Sequence, residues 1–169
     1  MNRILVSLLI LVTLCGTPPF KAIAADYRNY RKPEDVVAWL YRDYAFDAIM
    51  SEYWKDASLI QQPENILRLY FTNELTSLIL KDRQCVERTH EICNLDFDPI
   101  FASQDPGAAD LKISPLDSSG VVHVQFTYPS NGEKINLSYA VVKTKSGWRI
   151  KDIIYKEGRS LGKLLRGQE

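Results

Sequence analysis

The chain of 169 residues has only two histidines and three cysteines, and its 21 basic residues are matched by 21 acidic ones. This balance gives no electrostatic footprint for nucleic acid, which would require a strongly basic stripe, and it argues against general attraction to anionic membranes. The one clear apolar run, Ile4 to Leu14, is broken by Ser7 and Thr13 and is too short for the ~20-residue helix that crosses a bilayer. Several catalytic signatures are missing as well. Gly158-Arg159-Ser160-Leu161-Gly162-Lys163 has three residues between its glycines and a leucine after the lysine, where a P-loop needs four and a Ser or Thr. No G-x-S-x-G elbow, G-x-G-x-x-G or H-E-x-x-H occurs. His90 and His123 have no obvious triad partner in the sequence, and no cofactor is implied.

The amino terminus reads as a secretory signal peptide over residues 1–24. Arg3 supplies the charge, Ile4–Leu14 the apolar stretch, and Ala22-Ile23-Ala24 a small-x-small cleavage site ahead of Ala25. Cys15 follows a bulky leucine, which disfavours lipid anchoring there. Cleavage leaves 145 residues with 19 basic and 21 acidic groups, the size of a single domain, destined for a periplasmic or secreted location. The mature chain then has no candidate transmembrane segment.

Cleavage also leaves Cys85 and Cys93 as the only thiols, and an oxidising compartment favours pairing them. Closing a nine-residue loop is worth roughly 2.5 kcal/mol in the chain-entropy model. His90 lies inside the loop, but a structural zinc site usually needs four ligands, so no metal is expected.

Residues 25–32 form a solvated lead-in, 33–157 one α+β domain, and 158–169 a short tail or helix. Pro33 opens a helix marked by Val36, Val37, Leu40, Tyr41 and Tyr44, with Glu34 and Asp35 in its first turn. Residues 45–60 fit either an extension of that helix or a capping loop. After Pro63, the spacing of Leu67, Tyr70, Phe71, Leu75, Leu78 and Ile79 predicts a second helix ending near Asp82. From Asp110 the period becomes two. Val122–Tyr128, Ile135–Val141 and Trp148–Tyr155 are expected as antiparallel strands joined by turns at Ser130-Asn131-Gly132 and Ser146-Gly147, with a weaker strand over 110–116. The expected fold is therefore N-terminal helices packed on a curved antiparallel sheet of three or four strands.

This layout resembles the nuclear transport factor 2-like, or cystatin-like, cone. Phe97-Asp98-Pro99-Ile100-Phe101-Ala102-Ser103-Gln104-Asp105, preceded by Asp96 and followed by the meander and Ser146-Gly147-Trp148-Arg149-Ile150, is similar to the domain of unknown function 3828 family of bacterial envelope proteins and lipoproteins. The resemblance spans about residues 33–157 and implies an envelope protein.

The acids of that segment lack the alternating oxygen ligands and closing glutamate of a calcium loop. Asp96, Asp98, Gln104 and Asp105 are read as structural groups that fix turns by bonding nearby amides, in preference to a carboxylate pair for acid–base chemistry. Asp152 breaks the apolar face that Trp148, Ile150 and Ile154 would share. With Tyr139, Tyr128 and Trp148 it is a candidate for a polar pocket floor. Two classes of function follow. One is a non-enzymatic binding or interaction module whose partner is an envelope or secreted protein, with an immunity-type toxin neutraliser as a special case. The other is a small hydrolase or isomerase using Asp152 and His123.

Overall fold

The computed structural model describes residues 30–49 and 58–168; the signal segment, Cys15 and most of the lead-in lie outside them. Helix α1 spans Pro33–Ile49, so the helix runs past Tyr44. The Asp35 carboxylate accepts from Lys32 N at 2.9 Å and closes its first turn. Val36, Val37, Leu40, Tyr41 and Tyr44 are buried along one side. A short 3-10 turn, Leu59–Gln61, precedes the next helix.

The second helix expected from the sequence is two. α2 covers Glu64–Tyr70 and α3 covers Asn73–Thr89. Between them Phe71 is extended and forms a parallel bridge with Ile150, while Thr72 N donates to Ile150 O at 3.0 Å. The Thr72 hydroxyl then accepts from Leu75 N and caps α3. Helical spacing continues across the break because Phe71 stays in the core while its backbone pairs with a strand. α3 also passes Asp82, where the sequence placed its end. Asp82 Oδ1 instead accepts from Asn94 N at 2.8 Å and Asn94 Nδ2 at 3.0 Å, tying the returning chain to the middle of the helix. His90 ends α3 in the left-handed conformation, and the Cys85–Cys93 disulfide closes the reversal.

The sheet is a four-stranded antiparallel meander, β1 Ala109–Ile113, β2 Val121–Thr127, β3 Lys134–Thr144 and β4 Gly147–Ile154, in sequential order. Val122, Val124, Phe126, Leu137 and Tyr139 point into the core. The fold is α+β, with helices packed against one face of the sheet, compatible with the nuclear transport factor 2-like cone.

A bulge in β4 alters the alternation expected there. Ala140 pairs with Asp152 and Val141 with Ile150, leaving Lys151 as the extra residue. Ile150 and Ile153 are therefore the fully buried pair, and Asp152 and Ile154 lie off the core face. After β4 the chain pinches into a loop closed by Tyr155 N donating to Arg159 O at 2.9 Å. The one-turn helix α4, Leu161–Leu164, then buries Leu161 and Leu164 against the sheet and helices.

Candidate ligand-binding cleft and its tyrosine-clamped wall

The Asp96–Asp105 segment is held from both sides. Asp98 Oδ1 accepts from Ile100 N at 3.0 Å and Phe101 N at 3.2 Å, and Asp98 O accepts from Ala102 N at 2.8 Å. Three tyrosines then donate to three successive carbonyls: Tyr155 to Pro99 O at 3.2 Å, Tyr41 to Ile100 O at 2.5 Å and Tyr128 to Phe101 O at 2.6 Å. They come from the end of β4, from α1 and from the end of β2. Burial pushes the Asp98 carboxyl up to about 6, against the opposing pull of its two amide donors. Gln104 Nε2 reaches Asp96 Oδ2 at 3.5 Å. The Asp105 carboxylate is exposed, and its turn is made instead by Ser103 Oγ, which accepts from Asp105 N and donates to Asp105 O, both at 3.1 Å.

This clamped segment walls a cleft of about 700 Å3. Phe97, Ala102, Ser103 and Gln104 form one side, Tyr128 and residues 133–137 of the β2–β3 hairpin the second, and Tyr155, Lys156 and Arg159 the third. Phe97 packs edge-on against Tyr155 at 5.4 Å between ring centroids. The volume lies in the ~300–1,000 Å3 range of ligand sites. Among its lining residues Leu137 and Tyr155 are buried and Phe97, Tyr128 and Ile135 half-buried. Lys134, Lys156 and Arg159 are exposed at its mouth, together with Asp96 and Glu133.

The four pocket candidates from the sequence do not converge. Tyr128 lines the cleft. Tyr139 is buried in the core, its hydroxyl 2.9 Å from that of Tyr41, and burial raises its pKa well above the ordinary tyrosine value. Trp148 is half-buried beside the core. Asp152 lines a separate cavity of about 150 Å3 with Glu74, Lys151 and Arg166. Its carboxylate accepts from Ile153 N at 2.9 Å and Gly162 N at 2.8 Å, and Arg166 is paired with Glu74 at 2.6 Å. These contacts give Asp152 the work of holding α4 to β4.

His123 has partners that the sequence did not reveal. Its Nε2 is 2.9 Å from Asp117 Oδ2 and its Nδ1 is 3.1 Å from Ser138 Oγ, on the exposed face of the sheet. Asp117 also accepts from Ser119 Oγ, Val121 N and Ser119 N, and these bonds, led by the Ser119 hydroxyl, hold its carboxyl well below the usual range. The group ties the β1–β2 turn to β3. Among the described residues, no cluster of three or more His, Cys, Asp or Glu side chains could hold a metal ion.

Phe97, Ile135, Lys156 and Arg159 were not among the site residues read from the sequence. Their convergence depends on β4 stopping at Ile154, opposite Ser138, short of the start of β3 at Lys134, a relationship that only pairing register reveals. No helix among the described residues is long and apolar enough to cross a membrane.

No family model matches the chain, and no curated protein matches it. Two solved structures are similar to it at a distance. A protein of unknown function from Bacteroides thetaiotaomicron is 22% identical over 72% of this chain and 87% of its own, with a TM-score of 0.43. A phospholipid-binding protein from Ralstonia solanacearum, solved in complex with a phospholipid, is 17% identical over 80% of this chain and 84% of its own, with a TM-score of 0.38.

Proposed function

We propose that this chain is an exported, non-enzymatic binding module of the bacterial envelope, related to the domain of unknown function 3828 family, and that it holds its partner in the cleft between residues 96–104, the β2–β3 hairpin and Tyr155–Arg159. The observation that carries this reading is the cleft itself, ligand-sized and lined by three aromatic residues, Phe97, Tyr128 and Tyr155, together with charged ones. The competing small-enzyme reading relied on Asp152, whose carboxylate is committed to main-chain amides beside a cavity of about 150 Å3. That volume is below the usual range for a substrate site. The disulfide fits an oxidising compartment.

Two measurements test the proposal. A reporter fused to residues 1–24 should be exported and cleaved before Ala25, and retention in the cytoplasm would remove the envelope assignment. Mature protein and its Ile135→Arg variant should be used in parallel to capture ligands from native envelope extract. The expected result is a component retained by the parent and lost by the variant with its melting temperature kept; identical capture profiles would overturn the cleft as the binding site.

A further inference from the structure

β3 is paired further along one side than along the other. Against β2 it is paired down to Lys134, which faces Thr127, but against β4 its pairing begins only at Ser138, which faces Ile154. Lys134–Leu137 thus have a strand on one side and the cleft on the other. Successive residues of an antiparallel strand turn their N–H and C=O groups to opposite sides. Tyr128 N donates to Glu133 O at 2.9 Å, which directs the main-chain groups of Glu133, Ile135 and Leu137 toward β2 and those of Lys134 and Asn136 toward the cleft. Neither the 96–104 segment nor the 155–159 loop bonds to them. The lane is open because Ile154 pairs back with Ser160, so the chain leaves β3 where a longer β4 would have continued.

An exposed strand edge is a template for another strand, and proteins usually cover or blunt it. Here the edge lies inside an aromatic cleft. We propose, resting on the binding-module reading above, that the cleft takes an extended segment of a partner protein, added as a short strand in the lane that β4 vacates. Lys134 and Asn136 supply the main-chain donors and acceptors. Alternate side chains of the segment face Ile135, Leu137, Phe97 and Tyr155, so the segment carries apolar residues at every second position. Lys156 and Arg159 have no side-chain hydrogen bond or ion pair with any described residue, and they select a carboxylate on the segment. The acids in the cleft are Asp96, which accepts from Gln104, and Glu133, at the hairpin.

The test is selection of a displayed library of short linear peptides against the disulfide-bonded mature protein. Enriched sequences should alternate apolar residues and contain an acid, and a synthetic peptide of the leading sequence should shift the Lys134 and Asn136 amide resonances and slow their hydrogen exchange. Asn136→Pro deletes an N–H that does not serve the β2 ladder and should weaken that peptide by about tenfold or more. The surface pair Lys156→Gln with Arg159→Gln should weaken it several-fold with the melting temperature kept. Absence of enrichment, shifts confined to other amides, or binding of palmitate or lysophosphatidylglycerol in the cleft that no peptide displaces would overturn strand addition. If peptides fail while Ile135→Arg still abolishes capture from envelope extract, only the strand falls; if both fail, the binding-module reading falls too.

Discussion

The hydroxyls of Tyr41 and Tyr139, 98 residues apart in the chain, meet at 2.9 Å in the core, and the Tyr41 hydroxyl donates its own hydrogen bond to Ile100 O at 2.5 Å. One bond joins α1 to β3, and the next joins α1 to the wall of the cleft. Tyr41→Phe should leave both Ile100 O and the Tyr139 hydroxyl short of a partner, and its expected cost is about 1–3 kcal/mol. Tyr139→Phe keeps the bond to Ile100 and should cost about 1 kcal/mol. Urea unfolding of the two variants checks the order; equal losses would show that the relay is not directional.

Asp98 makes stability depend on pH. Its carboxyl lies at about 6 in the fold against an ordinary 3.8. Between those values the folded chain binds more protons than the unfolded chain, so the contribution of this group to stability is fully present below about 4 and lost as pH rises through about 6. A shift of about two units corresponds to at most about 3 kcal/mol. Asp98→Asn should remove this slope while keeping an oxygen for the amides of Ile100 and Phe101. Denaturation of parent and variant from pH 4 to 8 isolates it, because the other titrating groups cancel in the difference. Parallel curves would refute the assignment.

Asp105 should behave otherwise, because Ser103 fastens its turn through the backbone. Asp105→Ala is expected to change stability by less than about 0.5 kcal/mol, as surface substitutions usually do. Ser103→Ala removes both contacts and should cost about 1 kcal/mol. Thermal melts of the pair distinguish them, and a large loss in Asp105→Ala would contradict the geometry.

The Cys85–Cys93 bridge locks the last turn of α3 to the chain that returns to Asp82. Mature protein from an oxidising compartment should expose no thiol before reduction and two afterwards. Cys85→Ser with Cys93→Ser should lower unfolding free energy by roughly 2.5 kcal/mol. Titration with a thiol reagent and urea unfolding provide the readout, and two thiols in the unreduced protein would exclude the bridge.

The meander was legible because Val122, Val124 and Phe126 alternate with polar residues and because Asn131-Gly132 announces a turn. The helix break at Phe71 was not, since an aromatic residue that leaves a helix to bridge Ile150 stays buried and preserves the three-four rhythm. The structural role of Asp98 was readable from local chemistry, an acid before a proline and two amides. Asp105 sits in similar company, yet a neighbouring serine does its work. The bulge at Lys151 was invisible to a period-two reading, and it turned Asp152 from a pocket candidate into a clasp for α4. The cleft itself arises from unequal ladder lengths, a property of pairs of strands that no single segment encodes.

The three carbonyls clamped by tyrosines also set an order of assembly. Tyr155, Tyr41 and Tyr128 reach the segment across 56, 59 and 27 residues of chain, from three elements that must already be in place before their hydroxyls can find Pro99, Ile100 and Phe101. Loop-closure entropy is spent before such distant contacts return anything. The segment is therefore expected to lock late on the folding route, in which case substitutions within it should act mainly on the unfolding rate. On that order the wall of the cleft would be the last side to close in folding and the first to open in unfolding.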